Sequence, residues 1–93
     1  MFMATREKNS PDFNQTTEKE KSRKLILWND DVNTIDFVID TLIEVCGHDP
    51  FQAETCAIIA HFKGKCAVKN GTYNELKPLH AEMTIRNLTV EIS

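Results

Sequence analysis

Leu25, Ile26, Leu27 and Trp28 form an unbroken apolar run that stops at Asn29-Asp30-Asp31, the pattern of a short strand with a polar exit. Beyond it the spacing becomes helical. Ile35, Val38, Ile39, Leu42 and Cys46 recur on one face, with Asp36, Asp40 and Glu44 on the other. Asn33 is the expected N-cap, with Asp36 in the capping-box position, and Gly47 is the expected closing residue. Asp49-Pro50 predicts a second helix, with Asp as cap, Pro at its first position and Gln52 at its third. Phe51, Ala57, Ile58, Ile59 and Phe62 are its apolar residues, and Gly64 ends it. Lys65–Lys69 has the length of a strand and is followed by the turn pair Asn70-Gly71. Thr72 and Glu75 form a second capping box. The helix they introduce either kinks at Pro78 or begins there. Leu88, Val90 and Ile92 alternate with Thr89 and Glu91 as a half-buried strand. The order β-α-α-β-α-β predicts an α+β fold: a small three-stranded antiparallel sheet packed against three helices.

Composition restricts this fold to part of the chain. Met1 to Ser22 holds five hydrophobic residues, none of them Leu, Ile or Val, and a Glu-Lys-Glu-Lys run. Such a segment buries too little apolar surface to offset its ordering entropy. Residues 1–22 are therefore expected to be a disordered tail and residues 23–93 a single small domain. A net charge of −3 and a pI near 5.5 argue against a nucleic-acid partner, which calls for a basic stripe. No apolar run reaches the length of a membrane span, and the N-terminus lacks the apolar stretch of a secretion signal. A cytoplasmic, monomeric protein is expected. Cys46, Cys56 and Cys66 stand ten residues apart, a spacing that matches no zinc pattern. They are expected to be reduced, mostly buried thiols, and neither metal nor cofactor is expected.

The candidate chemistry lies at the strand exit. Three adjacent acceptor side chains, Asn29, Asp30 and Asp31, either turn the chain locally or hold a cation. A primary ammonium suits the second role, because it offers three donors and no acceptor. His61, in the last turn of the second helix, is either a semi-buried residue favoured by the helix dipole or a further acceptor for the same amine through a neutral ring nitrogen. Ile35, Val38, Ala57 and Ala60 read first as core positions. They also follow the acceptor cluster or precede His61, so they can wall a hole beside it. Catalysis finds little support: no Ser or Cys is tied to the His by a motif, and no phosphate loop occurs.

The combination L-x-L-x-N-D-D, F-V-I-D and A-H-F-x-G-K, spread from Lys24 to Lys65, resembles the ClpS family, bacterial adaptors that hand N-end-rule substrates to a Clp AAA+ ATPase–protease. The resemblance implies a non-enzymatic module that binds N-degrons, meaning protein N-termini beginning with Leu, Phe, Tyr or Trp. It implies that Asn29, Asp30 and His61 hold the α-amino group and that Asp31 supports the loop and adds negative potential. It places Asn33, Ile35, Val38, Ala57 and Ala60 in the side-chain pocket, with Leu88 closing it from the last strand. The implied partner is the N-terminal domain of a ClpA- or ClpC-type ATPase. This chain departs from the family pattern at Thr34, where Pro is frequent, and at Ile35 and Ala57, where Met is frequent. The alternative function is an α+β protein–protein interaction domain without an amine pocket.

Overall fold

A computed structural model describes residues 21–93, and six elements follow one another there in the predicted order. They are β1 (Arg23–Trp28), α1 (Ile35–Cys46), α2 (Pro50–Lys63), β2 (Lys65–Gly71), α3 (Tyr73–Ile85) and β3 (Thr89–Ile92). Most of the expected tail, residues 1–20, lies outside the described residues. The sheet order is β2-β1-β3, with β1 antiparallel to both neighbours. The alternation of β1 sends Leu25 and Leu27 into the core, while Trp28 is exposed. On that exposed side Trp28 Nε1–H donates to Glu91 Oε1 of β3 at 2.6 Å, and the Lys65 ammonium of β2 lies 4.9 Å from its ring centroid. One tryptophan thus links all three strands.

Two local expectations change. The N-cap of α1 is Thr34, whose side chain accepts from Phe37 N–H at 3.1 Å. Asn33 is unavailable for that task because its amide is engaged elsewhere in the loop. Asn70-Gly71 does not turn. Both residues stay in the ladder opposite Lys24 and Arg23, since β1 supplies partners that far and Thr72 makes the bend. A Cβ on Gly71 would stand 2.8 Å from Glu75 Oε1, the carboxylate that accepts Thr72 N–H in the capping box. A larger residue at position 71 would have to push that carboxylate aside. Helix α3 starts at Tyr73 and runs through Pro78, whose missing N–H falls on an exposed stretch.

The largest difference concerns α2. Its buried residues are Ala53, Cys56, Ala57 and Ala60, while Phe51 and Phe62 are 78% and 76% exposed and Ile58 and Ile59 about 40% and 39%. The expected apolar set is therefore largely not the core face. Helix α2 packs against both α1 and β2, and small side chains let its backbone approach them. The core beneath is Leu25, Leu27, Leu42, Cys46, Val68, Leu76, Met83 and Leu88, together with the small residues of α2. Two histidines secure carbonyls of the outer strands: His48 Nε2 donates to Val68 O at 2.6 Å and His80 Nε2 to Val90 O at 3.1 Å.

This burial pattern predicts unequal costs for removing large side chains. Leu42→Ala, at a fully buried position, should destabilise the domain by about 2–5 kcal/mol. Phe51→Ala should change stability by less than about 0.5 kcal/mol. Urea unfolding of the two variants beside the parent measures both.

Candidate functional site

The loop between β1 and α1 is organised by one carboxylate. Asp30 Oδ1 accepts the backbone N–H groups of Val32 and Asn33, each at 2.9 Å, and Asn33 Nδ2 reaches Oδ1 at 3.3 Å and Oδ2 at 3.1 Å. The same Asn33 amide donates to the Asn87 carbonyl at 2.9 Å, which joins the loop to the turn between α3 and β3. Asn87 has φ 68°, a left-handed conformation that Asn tolerates better than most residues. On the other side, Asn29 N–H donates to Gly64 O at 2.9 Å, so the loop is also tied to the end of α2. Gly64, with φ 97°, closes that helix and donates its N–H to Ala60 O. Three separate turns therefore meet at one place.

Partial burial pushes the Asp30 carboxyl up. The backbone and side-chain donors of Asn33 and the backbone donor of Val32 outweigh it and hold the group below its ordinary value. The carboxylate therefore stays negative. Its donors crowd Oδ1, and Oδ2 retains acceptor capacity. The Asn29 side chain and the His61 ring make no hydrogen bond among the described residues. His61 is exposed and packs edge-on against Phe62, with centroids 4.8 Å apart.

One cavity gathers nearly every residue singled out in the sequence. Asn29, Asp30, Asn33, Ile35, Val38, Ala57, Ala60, His61 and Leu88 all line it, with Leu27 and Trp28 in addition. Asp31 does not line it. Asp31 is exposed and makes no hydrogen bond among the described residues, and the loop-holding part expected of it is played by Asp30. The reason is register: the carboxylate at position 30 is the one that reaches the N–H groups two and three residues on. Sequence reasoning missed Leu27 and Trp28, the last inward residue and the end of β1, and Asn87, whose role depends on a partner 54 residues away. The lining joins the acceptors Asn29, Asp30 and His61 to the apolar side chains of Leu27, Ile35, Val38, Ala57, Ala60 and Leu88, a combination suited to an ammonium attached to an apolar group. The space is small as it stands, about 20 Å³, enough for roughly one water. Among the described residues no group of three His, Cys, Asp or Glu is placed to hold a metal ion. No described helix is long and apolar enough to cross a membrane.

The profile of the family described as ATP-dependent Clp protease adaptor protein ClpS matches residues 18–89, well over half of the chain. The chain belongs to the ClpS family. Two ClpS adapter proteins are similar in sequence. That of Hydrogenovibrio crunogenus is 32% identical over 68 residues, covering 71% of this chain and 65% of that protein. That of Acetivibrio thermocellus is 40% identical over 57 residues, covering 61% and 58%. This chain thus spans a little under two thirds of the length of the ClpS relatives it matches. Among solved structures, Agrobacterium tumefaciens ClpS2 bound to L-phenylalaninamide superposes with a TM-score of 0.68 at 20% identity, over 80% of this chain and 96% of that one. This likeness shows the ClpS fold. ClpS proteins are named as adapters of a protease, not as proteases themselves.

The Asp30 network carries a pH signature. A carboxyl whose folded pKa is depressed stabilises the fold fully above its unfolded value, and that contribution fades as pH falls through the lower folded value. Asp30→Asn should therefore lose stability relative to the parent at pH 7, and the two should converge at pH values below the ordinary carboxylate range. Urea midpoints of both proteins across that range measure it. A difference that stays constant into strong acid would mean that the ionised form is not what the loop uses.

Proposed function

We propose that this chain is an N-degron adaptor: it binds the free α-amino group and the bulky hydrophobic side chain of a protein N-terminus and presents that protein to a Clp AAA+ ATPase–protease. The observation that carries the reading is the joining of Asn29, the charged Asp30 and His61 to the walls Ile35, Val38, Ala57, Ala60 and Leu88 in one cavity. Asp30 Oδ2, the Asn29 side-chain oxygen and a neutral His61 nitrogen supply three acceptors for the three ammonium protons. The ligand of the solved ClpS2, L-phenylalaninamide, is an α-amine with an aromatic side chain, and family membership supports the Clp partner. That partner is the N-terminal domain of a ClpA- or ClpC-type ATPase, in the cytoplasm, with the adaptor acting as a monomer.

A Leu or Phe side chain needs far more room than one water. The exposed members of the lining are Trp28, Asn29, Ile35 and His61. Trp28 is tied to Glu91 and the Asn29 backbone to Gly64, so the movement required to admit that side chain falls on Ile35 and His61. Leu27, Ala57, Ala60 and Leu88 belong to the buried interior and stay in place. Ile35 stands in the first turn of α1 and is stiff at χ1, so it sets how wide the mouth opens. A second reading, a domain that docks a folded partner, draws on the exposed Phe51, Ile58, Ile59 and Phe62 of α2.

Peptides differing only in their first residue, each free and N-acetylated, separate the two readings by fluorescence anisotropy. Free peptides beginning with Phe, Tyr, Trp or Leu should bind and acetylated ones should not, because an amide leaves the acceptors unmatched. Equal affinity for both forms would overturn the amine reading and favour the docking domain.

His61→Ala should weaken binding of the Phe peptide by about tenfold, the loss of one charge-assisted hydrogen bond, with the urea midpoint unchanged. Asp30→Ala should weaken it further, because it removes the charge and loosens the loop together. An unaltered affinity in folded His61→Ala protein would take His61 out of the site.

A further inference from the structure

Helix α3 ends in a paired closure that depends on a left-handed residue. Leu88 N–H donates to Met83 O at 3.0 Å and Asn87 N–H to Thr84 O at 2.9 Å, the two bonds of a Schellman turn. Asn87, at φ 68°, is its left-handed residue. Leu88 follows, buried in the same core as Met83, and it also lines the cavity. The peptide between Asn87 and Leu88 is therefore held on both sides. Its N–H is taken by Met83 O of α3, and its carbonyl accepts from Asn33 Nδ2 at 2.9 Å. Asn33 Nδ2 in turn reaches Asp30 Oδ2 at 3.1 Å. Beside this peptide, Arg86 donates to Glu44 of α1 at 2.6 Å and to Glu82 at 3.0 Å. One peptide unit thus connects an apolar wall of the cavity to its charged acceptor, on a turn tied to the helix that carries Ile35 and Val38.

We propose that Asn87 is a positioning residue for ligand binding: its left-handed turn fixes the distance between the Leu88 wall and the Asp30 acceptor, and so selects ligands by side-chain size. This inference rests on the amine reading above. Asn87 acts through its backbone. Its carbonyl holds Asn33 and its φ directs the chain into Leu88, while the residue itself is exposed and its side chain makes no hydrogen bond among the described residues. A replacement that adopts a positive φ without strain therefore does the same work, and one that resists it does not. When the turn relaxes, the wall is no longer held against the acceptor, and the cavity admits wider side chains more readily.

The test uses the full chain and labelled free peptides that differ only in a first residue of Leu or Trp. Fluorescence anisotropy is read at a temperature where circular dichroism shows every variant folded. Asn87→Gly, the conservative replacement, should keep both affinities within about twofold of the parent. Asn87→Ala should weaken the Leu peptide by about fivefold and raise the ratio of Trp to Leu affinity by about threefold or more. Val68→Ala, a core truncation outside the cavity lining, should leave that ratio at the parent value. An equal shift of the ratio in Val68→Ala would assign the effect to stability, and a loss in Asn87→Gly as large as in Asn87→Ala would assign it to the Asn side chain. Either result overturns the proposal. In the parent, saturating Leu peptide should slow hydrogen exchange of the Asn87 amide by about threefold or more; unchanged exchange would also overturn it, and this measurement needs no variant. A parent that binds neither peptide defeats the amine reading and this inference with it. A parent that binds both, matched in every respect by Asn87→Ala, defeats this inference alone.

Discussion

Three turns of this domain converge because one carboxylate collects the donors of its own loop. Asp30 holds Val32 N–H and both nitrogens of Asn33, and Asn33 passes its remaining donor to the Asn87 carbonyl. The exit of β1, the start of α1 and the turn before β3 are thereby fixed relative to one another. The link from Asn29 N–H to Gly64 O adds the end of α2. Without this network the acceptors of the cavity would belong to two separate chain segments, the β1–α1 loop and the end of α2. The hydrogen bonds that organise the loop also keep Asp30 charged, so positioning and electrostatics come from the same groups.

The second constraint is the size of the residues that α2 turns inward. Ala53, Cys56, Ala57 and Ala60 let the helix approach α1 and β2 closely while leaving space at its far end beside His61. Larger residues at positions 57 and 60 would fill the cavity that the loop creates. The large apolar side chains of α2 face outward instead, an arrangement that costs the isolated domain some solubility and offers a surface to other molecules. The one-residue turn at Gly64 joins α2 directly to the strand it packs against.

Membership of the ClpS family and the fold are thus joined to a site whose acceptors lie on the β1–α1 loop and the end of α2, with walls from β1, α1, α2 and Leu88. The sheet supplies the platform: Trp28 bridges three strands through Glu91 and Lys65 on the face away from the core. Of the departures at Thr34, Ile35 and Ala57, the last two fall within the site. Thr34 caps α1 through its hydroxyl, and Ile35 and Ala57 stand on the cavity lining.

Much of this was legible in the chain itself. The alternation of β1, the caps at Asp49 and Thr72, the glycines at 47 and 64 and the grouping of acceptors at 29–31 are short-range features, settled by a residue and its neighbours within a turn or a strand. They were enough to give six elements in order, and the acceptor cluster with His61 gave most of the candidate site. What the chain alone did not decide was competition between partners. Asn33 had two possible tasks, capping α1 or bridging Asp30 to Asn87, and the second exists only when a residue 54 positions away has been brought beside it. Asn70-Gly71 reads as a turn until β1 offers ladder partners. The apolar residues of α2 read as a core face until the neighbouring helix and strand leave room for alanine and cysteine alone. Local hydrogen bonding and periodicity determined the elements; the distances between packed elements determined which side chains faced the cavity, and those distances exist only in the folded domain.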